Sequence, residues 1–397
     1  MNSKIVGAIE IGTSKVIVLV GEIIRGNSLN IIGVSEIPSI GVKKGEMIDL
    51  KAASLVTHEA IRAAEKSSKA TLDKAFLAQT GSHLMGIQNT ATVKVRSADN
   101  IISASDIQRV QEEAKSKELD AQRVYVNHIR NFFKVDNKIV ENPIGMEGQQ
   151  LSVSYWSISG DVNRIKDSLR VINGFGLEVE NMVISSVASG SIVTSETERK
   201  NGVLVIDIGC GTTDYVAYKD GVVIKTGVVP IGGDHFTNDL SLGLRVNNKH
   251  AEKLKLEVGK AVIDDSDKEE KVWLIGGRTI GDRNVKRLAI YQILNARAEE
   301  LFGIIKKQLS PIEIRELSAG VVLTGGSSHL RKIDEAANNV LNADIRLAEN
   351  PNWADSELRD PKYSTALGLL HYSLKTNNPH LPEEQSGLFH RLAKMLF

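Results

Sequence analysis

The 397-residue sequence is poor in cysteine, aromatic residues and long apolar runs. Its single cysteine, Cys210, excludes an internal disulfide framework and is typical of a reducing compartment. Lys plus Arg and Asp plus Glu both number 49, so no net charge favours a nucleic-acid partner. The nine histidines lack metal-ligand spacing, which argues against a zinc site. No apolar run reaches the roughly 18 residues of a membrane span, and Glu10 and Lys15 interrupt the apolar start, which argues against a signal peptide.

Two stretches, at 5–24 and 203–225, share one pattern. Each reads as an apolar strand, an acidic residue, Ile-Gly, hydroxyl residues and a second apolar strand. Because the chain is also longer than one typical core, the repeat predicts a duplicated, two-lobed α/β protein.

The remaining pattern predicts helices, one further strand and two polar segments. Helices are expected at 51–69, 103–119, 161–173, 246–257 and 284–308, and a strand at 177–184. The acidic segment 260–271 is interpreted as a solvated loop, and 376–385, with two prolines, as a tether.

The first repeat contains the first glycine loop (10–15), a tight turn between strands. Backbone N–H groups in such a turn can point at phosphate oxygens, and an acidic residue at the strand end can hold Mg²⁺ through water. An ordinary hairpin turn is the alternative. The candidates are Glu10 for the metal and Gly12, Thr13, Ser14 and Lys15 for phosphate.

The second glycine loop (207–214) is a sharper signal, because acidic residues flank two glycines and two threonines. It is neither a Walker loop nor a dinucleotide fingerprint, since no Gly-Lys-Thr follows and the next element is a strand. Asp207 is the metal candidate, and the phosphate candidates are Gly209, Cys210, Gly211, Thr212 and Thr213.

The third glycine loop (324–327) follows an apolar strand and is expected to open a helix, where a purine can lie against bare backbone. A bulky side chain at Gly325 would therefore occupy the purine position. Glu252 and Lys255 share a helix face, and either contact the ribose and adenine or form a surface ion pair. The candidates here are Gly325, Gly326 and Ser327 in the loop, Gly232 and Gly233 near the terminal phosphate, and Glu252 and Lys255.

Together these motifs resemble the actin-like ATPase superfamily. Further stretches narrow the match: PSIGVKKG at 38–45 followed by Asp49, Ala188-Ser189, AEKLKLEVG at 251–259 and NARAEEL at 295–301. Over residues 5–372 the sequence is similar to the bacterial cell-division family FtsA. It departs from the family pattern in having Glu10 where Asp is common, Cys210 where Gly is frequent, and Arg331-Lys332 after the third glycine loop.

The resemblance implies two actin-like, ribonuclease-H-like lobes with ATP and Mg²⁺ between them, two inserted subdomains and a C-terminal amphipathic helix. The implied boundaries are subdomain 1A at 1–83, 158–198 and 363–375, subdomain 1C at 84–157, subdomain 2A at 199–239 and 306–362, subdomain 2B at 240–305, a linker at 376–385 and a membrane-targeting helix at 386–397.

The resemblance also implies a function. Members of the family polymerise on the cytoplasmic face of the cell membrane at the division site, anchor FtsZ filaments of the Z ring there and help to recruit later division proteins. The FtsZ tail is expected on subdomain 2B, where Arg297 and Glu300 share a helix face, although internal ion pairs on a solvated helix are the alternative. Contacts with later division proteins are expected through subdomain 1C. Such a subunit hydrolyses ATP slowly at most, and no catalytic residue is assigned.

The segment 387–397 shows the pattern of an interfacial membrane helix, with an apolar arc and two cations facing anionic lipid headgroups. The membrane candidates are Leu388, Phe389, Arg391, Leu392, Lys394, Met395, Leu396 and Phe397. Docking of this helix on the protein itself or on a partner is the alternative. Two other functions fit the same fold: a pilus-assembly adaptor, and a small-molecule kinase, for which the sequence offers no convincing general base.

Overall fold

The computed structural model describes residues 3–24, 28–264, 267, 270–274 and 281–376. The strands within them are β1 Ser3–Ile11, β2 Lys15–Ile24, β3 Ser28–Pro38, β4 Val42–Lys43, β5 Glu46–Met47, β6 Lys74–Gln79, β7 Met85–Lys94, β8 Arg123–Val135, β9 Lys138–Val140, β10 Gln150–Asp161, β11 Glu178–Ile184, β12 Val203–Ile208, β13 Thr213–Lys219, β14 Val222–Val229, β15 Lys271–Leu274, β16 Arg283–Lys286, β17 Val321–Thr324 and β18 Ile345–Leu347. The helices are α1 Leu50–Ser68, α2 Ala104–Lys115, α3 Val162–Asn173, α4 Ser185–Val193, α5 Glu196–Asn201, α6 Gly233–Leu244, α7 Asn248–Val258, α8 Arg287–Leu309, α9 Ile333–Leu341 and α10 Ser364–Thr376.

Two sheets of five strands have the same topology. The order is β3-β2-β1-β6-β11 in the first lobe and β14-β13-β12-β17-β18 in the second. In each sheet three antiparallel strands continue into two parallel ones. The duplication predicted from the two similar stretches is therefore confirmed by strand order and strand direction.

A third sheet, in the order β7-β10-β8-β9, forms an inserted domain with α2 packed on it and a small core of its own. The helix predicted at 103–119 begins as expected, because Ser103 caps it in a capping box with Asp106, but it ends at Lys115.

The inserted domain contacts both lobes. Nε1 of Trp156 donates to Oγ1 of Thr226 on β14 of the second lobe at 2.9 Å, and both residues are buried. On the other side, Nδ2 of Asn127 donates to the carbonyl of Met182 on β11 of the first lobe at 3.0 Å. The domain therefore bridges the two lobes although its chain leaves from and returns to the first.

Four predicted elements lie where expected: the helix at 51–69 is α1, that at 161–173 is α3, that at 246–257 is α7 and the strand at 177–184 is β11. Side chains of Asp161 and Asn247 cap α3 and α7. The helix predicted at 284–308 begins later, at Arg287, because Arg283–Lys286 pairs with Lys271–Leu274 as a hairpin. After the third glycine loop the predicted helix is a 3₁₀ turn, Gly326–His329, and α9 starts only at Ile333.

The interpretation of 260–271 as a solvated loop is wrong at its start. Lys260 is 5% exposed, and its Nζ lies 2.8 Å from Asp264 and 2.6 Å from Asp267, over the ring of Tyr291. The two carboxylates neutralise the ammonium and so allow its burial.

No helix in the described ranges has the length and apolarity needed to cross a bilayer. The tether predicted at 376–385, apart from its first residue, and the amphipathic helix predicted at 386–397 lie outside the described residues.

Candidate functional site

A cavity of about 760 Å³ lies between the two lobes. The first, second and third glycine loops all line it, together with α7. Of the predicted site residues, the cavity brings together Glu10, Gly12, Thr13, Ser14, Lys15, Asp207, Gly209, Cys210, Gly211, Thr212, Gly233, Glu252, Lys255, Gly325, Gly326 and Ser327.

The first glycine loop is held by its own backbone. The N–H of Gly12 donates to the carbonyl of Lys15 at 2.9 Å, and a Cβ added at Gly12 would lie 2.9 Å from that carbonyl oxygen. Only glycine therefore fits at this point of the turn.

The second glycine loop is held from below by α6. The N–H groups of Gly233 and Asp234 donate to the carbonyls of Gly209 and Cys210 at 2.9 and 2.8 Å. The first amides of this helix therefore fix the loop instead of facing the cavity.

Two predicted phosphate ligands do not line the cavity. Thr213 is fully buried, and its hydroxyl donates to the carbonyl of Ile231 at 2.8 Å. Gly232 lies beneath the second glycine loop, where an added Cβ would approach the carbonyl oxygens of Gly209 and Cys210 to 2.6 Å. Both residues support the loop from behind.

In the third glycine loop, the two glycines have different surroundings. Gly325 has a φ of +85°, and an added Cβ would overlap the carboxylate of Asp207 and the backbone of Ile208. A side chain at Gly325 would therefore displace Asp207 and Ile208, and its expected entry into the purine position stays a prediction. A Cβ at Gly326 would meet nothing closer than Cβ of Lys362 at 3.7 Å, so this glycine borders free space.

Glu252 and Lys255 form the expected pair, with 2.8 Å between Oε2 and Nζ. The ammonium also donates to the carbonyl of Gly233 at 3.0 Å and to Oγ1 of Thr237 at 2.9 Å. The pair therefore ties α7 to the start of α6 while both side chains border the cavity.

Three carboxyl groups lie at the floor of the site. Asp207 and Asp214 are direct cross-strand partners on β12 and β13, and burial raises the pKa of both. For Asp214, burial and the charge of Asp207 raise the pKa to about 7. For Glu10, burial and then Asp207 raise the pKa to about 8, and its buried Oε2 has no hydrogen-bond partner in the structure. The floor of the cavity is therefore short of positive charge.

The positive charge of Lys15 acts on Glu10 and Asp207 in this floor. Burial lowers the pKa of Lys15, although the charges of Glu10 and Glu36 act in the opposite direction. In the described ranges, no three His, Cys, Asp or Glu side chains lie close enough together to ligate a metal ion directly. The site's carboxyl groups fit a cation held through water rather than one enclosed by protein ligands.

The Cys210 side chain is engaged by an acid. Its Sγ lies 2.9 Å from Oδ1 of Asp234, and burial together with Asp234 raises the pKa of the thiol to about 12. The thiol therefore keeps its proton and donates a hydrogen bond to the carboxylate.

Several cavity residues were missed from the sequence. Thr80 donates to Asp214 at 2.8 Å, Thr365 donates to Asp207 at 3.0 Å, and Glu36 pairs with Lys362 at 2.9 Å. Asp214 could have been selected from the sequence, because it is the acidic residue that ends the second glycine loop. The others come from distant chain segments, and no local pattern marks them.

Comparison with known proteins gives the family. The family model "Cell division protein FtsA" matches residues 204–368, and the model "SHS2 domain inserted in FTSA" matches residues 81–159. The chain is 30% identical over 392 residues to cell division protein FtsA of Pseudomonas aeruginosa, covering 97% of this chain and 93% of that one. It is 32% identical to FtsA of Bacillus subtilis (strain 168), covering 94% and 84%. The chain belongs to the FtsA family.

Solved structures agree on the fold. The PilM-PilN type IV pilus biogenesis complex matches with a TM-score of 0.62 at 18% identity, covering 93% of this chain and 98% of that one. MreB5 of Spiroplasma citri bound to ADP matches with a TM-score of 0.58 at 13% identity, covering 95% and 99%. These likenesses concern fold alone. This FtsA-family member is therefore a cell-division protein with an actin-like α/β fold, and the subdomain boundaries given above stay predictions.

Proposed function

We propose that this protein binds ATP with Mg²⁺, polymerises on the cytoplasmic face of the cell membrane at the division site and anchors FtsZ filaments there. The observation that carries the proposal is the cavity between the lobes, to which the first lobe contributes one glycine loop and the second lobe contributes two. Family membership supplies the cell-division role, and helping to recruit later division proteins belongs to the same proposal.

The phosphates are proposed to bind the backbone of the first and second glycine loops, with Lys15 adding positive charge. Adenosine would lie between Gly326 and the Glu252–Lys255 pair, which border the same cavity. Glu10 and Asp207 would hold Mg²⁺ through water. The cation would supply the positive charge that the three carboxyl groups lack and would neutralise phosphate oxygens. MreB5 of Spiroplasma citri, a neighbour of the same fold, was solved bound to ADP.

The FtsZ tail is proposed to bind subdomain 2B along α8, where Arg297 and Glu300 lie. Polymerisation would join copies of the chain end to end through the lobes, and the inserted domain is the proposed contact for later division proteins. A neighbour of the same fold, MamK, is described as a double helical filament, with a TM-score of 0.52 at 12% identity.

Membrane attachment is proposed for residues 386–397, on the sequence pattern alone. Several large apolar side chains facing the acyl boundary and two cations give weak binding for one copy, because a short isolated helix is costly to order. A filament that carries many such tails would bind firmly through avidity.

Co-sedimentation with anionic phospholipid vesicles tests the proposal. The full chain should pellet more completely with Mg-ATP than without it, and a chain ending at Gln385 should stay in the supernatant. The double variant Phe389→Glu/Leu392→Glu should be released from the vesicles. Its affinity for ATP, measured by calorimetry, should not change. Undiminished pelleting of the truncated chain would remove the tail as anchor, whereas absence of ATP binding would remove the nucleotide part.

The fold likeness to the PilM-PilN complex favours a pilus-assembly adaptor as the second candidate. Such an adaptor should not bind an FtsZ tail peptide. Titration of the full chain with that peptide separates the two functions.

A further inference from the structure

The turn at Lys44–Gly45, between β4 and β5, touches both glycine loops that are proposed to hold phosphate. The N–H of Gly45 lies 3.3 Å from Oγ1 of Thr13 in the first loop. The same segment is tied to that loop a second time, because the N–H of Ser39 donates to the carbonyl of Ser14 at 3.0 Å. The turn is therefore a rigid extension of the first loop, although it does not line the cavity.

On its other side the turn lies against the second lobe. A Cβ added at Gly211 would lie 2.9 Å from the backbone N of Lys44 and would overlap the hydroxyl of Thr13. A Cβ added at Gly45 would lie 2.9 Å from Cγ2 of Thr80 and 3.2 Å from Cγ2 of Thr212. At this point the two lobes meet with no space for another carbon atom.

A hydrogen bond fixes the same contact. The hydroxyl of Thr80, at the end of β6 in the first lobe, donates to Asp214 of the second lobe at 2.8 Å. The methyl group of Thr80 faces Gly45, and its hydroxyl faces Asp214.

The proposed nucleotide site is asymmetric with respect to this contact. Its adenosine side, formed by Glu252, Lys255, Gly325 and Gly326, belongs entirely to the second lobe. Only the phosphate side is built from both lobes. A change in the spacing between the lobes therefore alters the contacts with the terminal phosphates and leaves the contacts with the nucleoside unchanged.

We propose that the Lys44–Gly45 turn is the spacer that sets the separation of the two glycine loops, and that it thereby determines how much more tightly a nucleoside triphosphate binds than a diphosphate. The inference rests on the proposed nucleotide binding. Gly45 acts as a positioning residue, because it reaches the phosphates only through the loops it separates.

The test is Gly45→Ala, measured by calorimetry with Mg²⁺ and either ADP or the non-hydrolysable triphosphate AMPPNP. The added methyl group would lie 2.9 Å from Thr80 of the first lobe and 3.2 Å from Thr212 of the second, so it should act as a wedge between the lobes. Overpacking of this kind is expected to weaken AMPPNP binding about tenfold while ADP affinity stays within about twofold. Gly145→Ala is the matched control. Gly145 has nearly the same φ, +78° against +73°, and has no atom within 4 Å of an added Cβ, so it carries the backbone strain without the clash.

A second substitution keeps the test decisive if Gly45→Ala is poorly folded. Thr80→Ser removes the methyl group that an alanine at 45 would strike and keeps the hydroxyl that bonds Asp214. In the double variant Gly45→Ala/Thr80→Ser the new methyl group can move into the space freed in the first lobe and need not displace Thr212 of the second, so most of the AMPPNP affinity should return.

Three outcomes are distinct. Selective loss of AMPPNP binding with rescue by Thr80→Ser supports the spacer. Equal loss for both nucleotides, or no loss in a folded Gly45→Ala variant, overturns it. Failure of the unmodified chain to bind either nucleotide overturns the proposed function itself.

Discussion

Nε of Arg297 on α8 donates a 2.6 Å hydrogen bond to Oδ2 of Asp239 on α6. Both side chains are about four-fifths buried, and the guanidinium also contacts Glu300 one turn along α8. Both predicted partner residues thus take part in internal ion pairs, the alternative that the sequence left open. Charge reversal at Arg297 therefore changes both the surface charge and the α6–α8 contact.

Two variants separate these effects on FtsZ-tail binding. If the acidic tail binds Arg297 directly, Arg297→Glu should weaken binding of the tail peptide about tenfold, since reversal adds repulsion. Asp239→Asn breaks only the internal pair, so affinity should stay at least as high. Fluorescence anisotropy with a labelled peptide measures both. If both variants weakened peptide binding equally, binding would depend on the packing of α6 on α8 and not on the charge of Arg297. If neither variant changed the affinity, the peptide would bind elsewhere on the protein.

The third glycine loop gives a prediction on nucleotide binding. Gly326→Leu should leave the melting temperature nearly unchanged and abolish measurable ATP binding, because the new side chain points into the cavity. Gly325→Ala should lower the melting temperature, because its Cβ meets Asp207 and its φ is positive. Normal ATP affinity in a folded Gly326→Leu variant would show that adenosine does not lie there.

The buried ion pair of Lys260 and Asp267 gives a prediction on stability. Lys260→Met leaves Asp267 buried without its cation and should destabilise the protein by about 3 kcal/mol in denaturant unfolding. Lys253→Met is the control, because Lys253 and Glu257 form an exposed pair 3.7 Å apart, and the midpoint should not move. If both variants unfolded at the same denaturant concentration, the buried pair would contribute nothing to stability.

Stability should fall in mild acid through His128. Burial and the charge of Lys115 lower the pKa of His128 from its ordinary value of 6.5 to about 4. Between these values the unfolded chain binds a proton that the folded chain does not, so stability is full above pH 6.5 and falls as the pH drops towards 4. The loss amounts to roughly 3 kcal/mol for this group.

The variant His128→Gln should flatten the dependence of the melting temperature on pH in that range. Part of the slope should remain, because burial lowers the pKa of His83 to about 4 as well. An unchanged slope would exclude His128 as a contributor.

How well a feature could be predicted from the sequence depends on how close together in the chain its residues lie. The first and second glycine loops could be predicted because strand, turn and strand are adjacent in the chain. Both loops lie at the cavity. Thr213 shows how adjacency misleads. Side chains alternate along β13, so Thr212 and Asp214 face the cavity and Thr213 faces away.

Contacts between distant segments leave no such local signal. Thr80 reaches Asp214 across 134 positions, and Glu36 reaches Tyr363 across 327. Lys260 looked like part of a solvated acidic loop because the ring of Tyr291 that covers it belongs to another helix. Such placements depend on how the lobes pack, which composition and periodicity do not encode.

The bonds from Trp156 to Thr226 and from Asn127 to Met182 have a mechanical consequence. A tensile load applied to the inserted domain divides between the two lobes instead of passing through the chain connections to one of them. A pull on the inserted domain would thus act on both sides of the cleft at once.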